Sequence, residues 1–169
     1  MAHPAGRHRR LSFLFDLFAV EHRVRALLGQ TMADAGLRPD EYAIYSAVLV
    51  AGPLTISALA QLVGMPLTTV SDYVRAMTSR GHAHRSQNPA DSRSYLVALT
   101  EDGTAAHAAA KVAFAAALDR IRRALPIPEQ DLSTALRALD EAVRQVTEEL
   151  ATGAGDRHQR AAGGRSATP

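Results

Sequence analysis

The chain has 169 residues, 47% of them apolar and 5% aromatic, with no cysteine, a formal net charge of +2 and a pI near 9.4. That apolar content is enough for one packed domain with tails, which excludes a wholly disordered chain, and the missing thiols exclude a disulfide framework, a thiolate metal site and a cysteine redox switch. No apolar run reaches the roughly 18 residues a membrane helix needs, so no membrane partner is expected.

Taken in chain order, MAHPAGRHRR (residues 1–10) reads as a disordered basic tail. The LSFLFDLFAV after it is interrupted by Asp16 and has no cleavage site, so it opens a helix rather than a signal peptide, and a cytoplasmic protein is expected. From Leu11 to Ala35, Leu14, Leu17, Phe18, Val24, Leu28 and Met32 keep a helical period, and Gly36 stops it. Asp40 is placed to cap a second helix carrying Tyr42, Ile44, Tyr45, Val48 and Leu49, which ends at Gly52-Pro53. Thr55 caps a short third helix with Ile56, Leu59, Ala60 and Leu62 on its apolar side, and Gly64 ends it. Pro66 suits the first turn of a fourth helix that runs to about Arg80, with Gly81 just beyond it.

Here the period changes. HAHRS and SYLVAL are short and strand-like, joined by a loop with Asn88-Pro89 and Asp91. Thr100 caps a long, Ala-rich fifth helix with Glu101 and Asp102 in its first turn, where the helix dipole favours acids. The PIP at 126–128 breaks the chain, and in the last helix Leu132, Leu136, Leu139, Val143, Val146 and Leu150 form a heptad seam. The fifth helix has little bulk to cover that seam, so a two-fold dimer built from the first and last helices is expected. Residues 152–169 are Gly-rich without an apolar period and read as a second disordered tail.

The pattern that carries function is helix, tight turn, helix, hairpin. On the fourth helix Val70, Val74 and Met77 fall on a core-facing side, and Thr68, Thr69, Ser71, Asp72 and Arg75 fall on the other. Short and forked polar side chains of this kind suit base edges and phosphates in a major groove. Between Thr55 and Leu99, Arg75, Arg80, Arg85 and Arg93 outnumber Asp72 and Asp91, whereas acids dominate from Glu129 to Leu150. The middle of the chain is therefore the face for an anion. A hairpin directly after two such helices is a wing, and Arg93 at its tip is the side chain best suited to a narrow, negative minor groove. Asp91 is spaced to hold or aim that tip, and Ser92 lies between them.

DSRSYLVALTEDG resembles the signature wing of the MarR family of bacterial regulators, Asp-x-Arg, then a strand, then Leu-Thr-x-x-Gly. LAQLVGMPLTTVSDYVRAMTSRGHAHR is similar to that family's helix-turn-helix. The resemblance implies a mainly α fold with a small β-hairpin wing. It would form one unit over residues 11–151, with a winged helix-turn-helix over 40–100 and dimerisation helices over 11–35 and 101–150. It further implies a homodimer on double-stranded DNA at a pseudo-palindromic operator, acting as a repressor relieved by a small molecule, aromatic or anionic. DNA contact then falls to Thr68, Thr69, Ser71, Asp72, Arg75, Asp91, Ser92 and Arg93. The family's ligand pocket, where the first, second and fifth helices meet the winged domain, places Phe18, His22, Tyr42, Tyr45 and Phe114 around the effector.

Three positions depart from the family pattern. Met65 stands where a capping Ser is usual, and Asp72 and Arg75 have the opposite charges, which makes Asp72 either a reader of cytosine or the i+3 partner of Arg75. His82-x-His84 has no third ligand nearby, and His107, Glu41 and Glu21 have no paired His or Cys, so no metal and no cofactor is expected. With no Gly-rich phosphate loop, no Gly-x-Ser-x-Gly and no His–carboxylate grouping, an enzyme is not expected. The rival reading is a winged-helix module that only dimerises or docks proteins, and steep salt dependence separates DNA binding from it.

Overall fold

The computed structural model describes residues 12–163, which include the whole of the winged region. The elements run α1 (Phe13–Thr31), α2 (Pro39–Ala51), β1 (Leu54–Thr55), α3 (Ile56–Val63), α4 (Leu67–Ser79), β2 (Ala83–Gln87), β3 (Tyr95–Leu99), α5 (Glu101–Ala124) and α6 (Glu129–Gly163). The chain is mainly α with a small β wing, as expected. Residues up to Arg120 form one compact unit and those from Ile121 a second.

In the first unit the core lies under α2, α3, α4 and the sheet. Ile44, Tyr45, Val48, Leu59, Val70, Val74, Met77 and Val97 are all buried there. Local rules set the helix ends. The Thr55 hydroxyl accepts from the Ala58 amide at 3.1 Å, which caps α3, and Gly64 ends that helix in the left-handed region at φ 66°. Gly81, at φ 74°, turns the chain out of α4.

The sheet has three strands, not the two of a simple hairpin. Their order is β1-β3-β2, all antiparallel, with Leu54 opposite Val97 and Thr55 opposite Leu96. β2 pairs along its length with β3, from Ala83 opposite Leu99 to Gln87 opposite Tyr95. β1 thus anchors the base of the wing to the start of α3, and Thr55 serves both as strand residue and as helix cap.

Asp40 does not cap α2. Arg38 is the N-cap and Pro39 the first helical residue, so Asp40 and Glu41 occupy the first turn. Glu41 completes the cap by accepting from the Arg38 amide at 3.0 Å. Asp40 is drawn instead to Arg25 of α1, whose Nη1 reaches both its oxygens at 3.0 and 2.9 Å.

The second unit holds α6. Its seam is open: Leu136, Val143, Val146 and Leu150 are 49–64% exposed, and Leu132 and Leu139 are half-buried. The helix continues to Gly163, through residues that the Gly-rich composition assigned to a tail; 164–169 and the basic tail 1–10 lie outside the described residues. Among the described residues no helix is long and apolar enough to cross a membrane.

Candidate nucleic-acid interface

α4 divides into two faces. Val70, Val74 and Met77 are buried in the core, while Thr68, Thr69, Asp72 and Arg75 are exposed and Ser71 is half-buried beside the core face. No side chain caps α4: Pro66 is the N-cap, and Met65 packs against the core. The first-turn amides therefore have no side-chain acceptor and remain open to an anion. Arg75 Nη1 lies 3.0 Å from Asp72 Oδ1, and both side chains are about 70% exposed or more. Of the two roles open to Asp72 from the sequence, partnership with Arg75 is the one formed in the free chain. It is a weak exposed pair that a competing anion can break.

The wing tip is ordered by its own side chains. Asn88 accepts from the Ala90 amide at 3.0 Å and donates to the Ser94 hydroxyl at 2.9 Å. Asp91 Oδ1 accepts from the Arg93 amide at 3.0 Å, and Gln87 donates to the Ser92 carbonyl at 3.2 Å. Asp91 thus aims the tip through the backbone of Arg93 and not through its guanidinium, an Asx-type turn. Arg93 is exposed and its guanidinium has no partner among the described residues, so its charge is free at the tip.

The residues after the wing explain Leu-Thr-x-x-Gly. Thr100 donates to the Gly81 carbonyl at 2.7 Å and accepts from the Gly103 amide at 3.1 Å. Its own amide donates to the His82 carbonyl at 3.1 Å. A Cβ on Gly103 would run into that same carbonyl oxygen. One threonine and one glycine therefore clamp the start of α5 onto the turn between α4 and the wing.

No curated protein matches the chain by sequence. The family described as "Sugar-specific transcriptional regulator TrmB" matches residues 32–102, which span α2 to the start of α5. Among solved structures, a probable transcriptional regulator from Pseudomonas aeruginosa is 28% identical, with a TM-score of 0.64, over 73% of this chain and 92% of that one. A MarR-family regulator from a Rhodococcus species is 24% identical, with a TM-score of 0.63, over 77% and 91%. The repressor CouR of Rhodococcus jostii, solved on a 23-mer DNA duplex, is 25% identical, with a TM-score of 0.63, over 77% and 90%. CouR has also been solved with p-coumaroyl-CoA.

The chain has the winged helix-turn-helix fold of the MarR-family regulators. In that fold α4 is the second helix of the helix-turn-helix and the 88–94 loop is the tip of the wing.

A groove of about 550 Å³ lies between α1, α2 and α5. Leu17, Val20, Val24, Leu28, Tyr42 and Phe114 give it apolar walls, and Glu21, Arg25 and Asp40 gather at one end. Tyr42 is the middle of an aromatic stack, with Phe114 at 4.7 Å on one side and His107 at 4.8 Å on the other. His107 Nε2 also meets the Ser46 hydroxyl at 2.9 Å. Burial lowers the His107 pKa, helped by the nearby Lys111 charge, which favours the neutral ring.

Of the five pocket residues expected from the sequence, the structure brings Tyr42 and Phe114 to the groove. Phe18 and His22 are exposed on α1 and do not line it. Tyr45 is fully buried core, with its hydroxyl 2.8 Å from His82 Nδ1. A helical period places Tyr42 and Tyr45 on related faces, but only packing decides which one meets the groove.

Four charged residues had no place in the expected site: Arg25, Arg38, Asp40 and Glu41. Glu41 is buried, accepts from Arg80 Nη2 at 2.7 Å and lies 3.5 Å from Arg38 Nε. Burial pushes its carboxyl up, but the Arg38 amide, the Arg80 hydrogen bond and the two positive charges outweigh it and hold it below its ordinary range. Tyr73 of α4 donates to Asp40 at 3.4 Å. The start of α2 therefore touches α4 at Tyr73 and at Arg80, two helical turns apart.

Proposed function

We propose that this protein is a sequence-specific DNA-binding transcriptional regulator that acts as a homodimer on a pseudo-palindromic operator, as a repressor released by a small ligand. The observation that carries the reading is a solvent-facing α4 with an open N-terminus, set beside a wing whose ordered tip presents an unpartnered Arg93. CouR, of the same fold, is a repressor solved on DNA. In this reading Thr68, Thr69, Ser71, Asp72 and Arg75 read or clamp one major groove. Asp91 and Ser92 shape the tip from which Arg93 enters the adjoining minor groove. Two copies place their recognition helices roughly 34 Å apart, as half-sites one turn apart require.

The exposed α6 seam supports the dimer, as do Phe13, Phe15 and Phe18, which are exposed on α1. The groove is the effector site, and its aromatic floor suits a flat apolar body. A ligand there changes operator affinity only through a difference in its affinity for the two arrangements of the dimer. No catalytic step is assigned to the chain.

The test is selection of a random duplex pool by the purified protein, with Arg93→Ala in parallel. An inverted repeat enriched by the wild type and weakened with the variant is expected. If no sequence is enriched at low salt and both proteins behave alike, the reading fails and a protein-docking module takes its place.

A further inference from the structure

A second cleft, of about 240 Å³, lies along the exposed side of α4, lined by Arg38, Thr69, Asp72, Tyr73 and Ala76. Four of these belong to α4. The fifth, Arg38, comes from the N-cap of α2, in a segment with no part in the helix-turn-helix pattern. Its side chain is 73% exposed, yet it is held in place. The guanidinium carbon sits 5.8 Å over the Tyr73 ring, a cation–π arrangement, and Nε lies 3.5 Å from Glu41 Oε2. Glu41 is itself fixed by the Arg38 amide and by Arg80. The two Nη groups of Arg38 have no partner among the described residues.

The other arginines near α4 differ. Arg75 engages Asp72 through Nη1 and Arg80 engages the buried Glu41 through Nη2, whereas the Arg38 contact with Glu41 uses only Nε. Asp72, the acid in the cleft, lies 3.0 Å from Arg75 and makes no ion pair with Arg38. A planar fork with open donors, preset by a ring and a carboxylate beside a recognition helix, matches the geometry of a phosphate oxygen pair.

We propose that Arg38 is a DNA-phosphate clamp, fixed beside the recognition helix by Tyr73 and Glu41. This rests on the DNA-binding reading above and adds a contact that neither the helix-turn-helix nor the wing supplies. The clamp positions the protein on the backbone and carries no sequence information of its own.

The experiment is operator binding by fluorescence anisotropy over a series of salt concentrations, using the duplex recovered by selection and a scrambled one. Arg38→Gln is expected to weaken both duplexes by a similar factor, on the order of tenfold at low salt. It is expected to flatten the dependence of log affinity on log salt by about one for each protomer, because each lost phosphate contact releases about 0.9 fewer counterions. Arg38→Lys restores most of the slope but not the full affinity, since an ammonium cannot reproduce the stacked fork. Thermal midpoints of all three proteins are measured alongside, so that a fold defect is seen as such. An unchanged slope in Arg38→Gln overturns the clamp whether or not affinity falls, because a loss of affinity without a loss of slope is an indirect structural effect. Loss of affinity for the operator alone also overturns it, because it would make Arg38 a base reader. Failure of the wild type to bind any duplex at low salt overturns the DNA-binding reading itself, and the clamp with it.

Discussion

α4 and α6 each carry an apolar stripe, and the structure treats the two in opposite ways. On α4 the stripe is Val70, Val74 and Met77, all buried within the same chain. On α6 it is a longer seam whose Leu136, Val143, Val146 and Leu150 stay 49–64% exposed. A hydrophobic period records that a face will be covered, but it does not record what covers it. Where α2, α3 and the sheet return to the same place, the cover is intramolecular. For the open seam of α6, a second copy is the cover that the proposed function requires.

The largest expected effect is in the first unit. Leu59→Ala removes a fully buried side chain and should cost about 2–5 kcal/mol in urea unfolding. Val143→Ala, measured at a concentration that keeps the protein monomeric, should stay within about 0.5 kcal/mol of wild type. Equal losses at the two positions would erase the contrast between the helices.

Next in size is Gly103→Ala. The added methyl meets the His82 carbonyl, so a loss of about 1–3 kcal/mol is expected, visible as a lower thermal midpoint. A midpoint equal to that of wild type would show that α5 can move off the wing turn at little cost, and the clamp made by Thr100 and Gly103 would not be rigid.

The seam is tested by Leu136→Glu combined with Val143→Glu. Sedimentation equilibrium should shift from dimer to monomer with helical content kept, and operator affinity should fall at least about tenfold as the second half-site is lost. A dimer that survives both charges would place the interface elsewhere.

The smallest effect is a pH dependence confined to the first unit. The folded pKa values of His107 and Glu41 both lie below their ordinary values of 6.5 and 4.5. The folded state thus binds protons less readily than the unfolded chain. The stability these groups contribute is full above their ordinary pKa values and is lost as pH falls through the folded ones. Urea midpoints should therefore decline below about pH 6.5 through His107 and again below about pH 4.5 through Glu41. His107→Gln should flatten the first decline and Glu41→Gln the second. A pH profile unchanged by both substitutions would mean that neither group titrates differently on folding.

Much of this architecture was legible before any coordinates. The caps at Thr55 and Thr100, the stops at Gly64 and Gly81, the change of period at the wing and the division of α4 into two faces all appear where the sequence places them. Each depends on groups within about one helical turn or one hairpin, so the chain's own order encodes it. Thr68, Thr69, Asp72, Arg75 and Arg93 are exposed for the same reason: each sits opposite or beyond a local apolar stripe.

What only the tertiary structure decided involves partners far apart in the chain. β1 is two residues long and exists because β3 returns beside it. Asp40 looked like a cap by its position, but Arg25, 15 residues earlier, takes its carboxylate while Arg38 and Glu41 close the helix start. Tyr45 went to the core and Tyr42 to the groove, although both lie on one short helix. Arg38 comes beside Tyr73, 35 positions away by sequence number, and so reaches α4. Spacing along a chain fixes which side of an element a residue occupies; which distant element arrives there depends on how the whole core closes, and that closure is what gave these charges their partners.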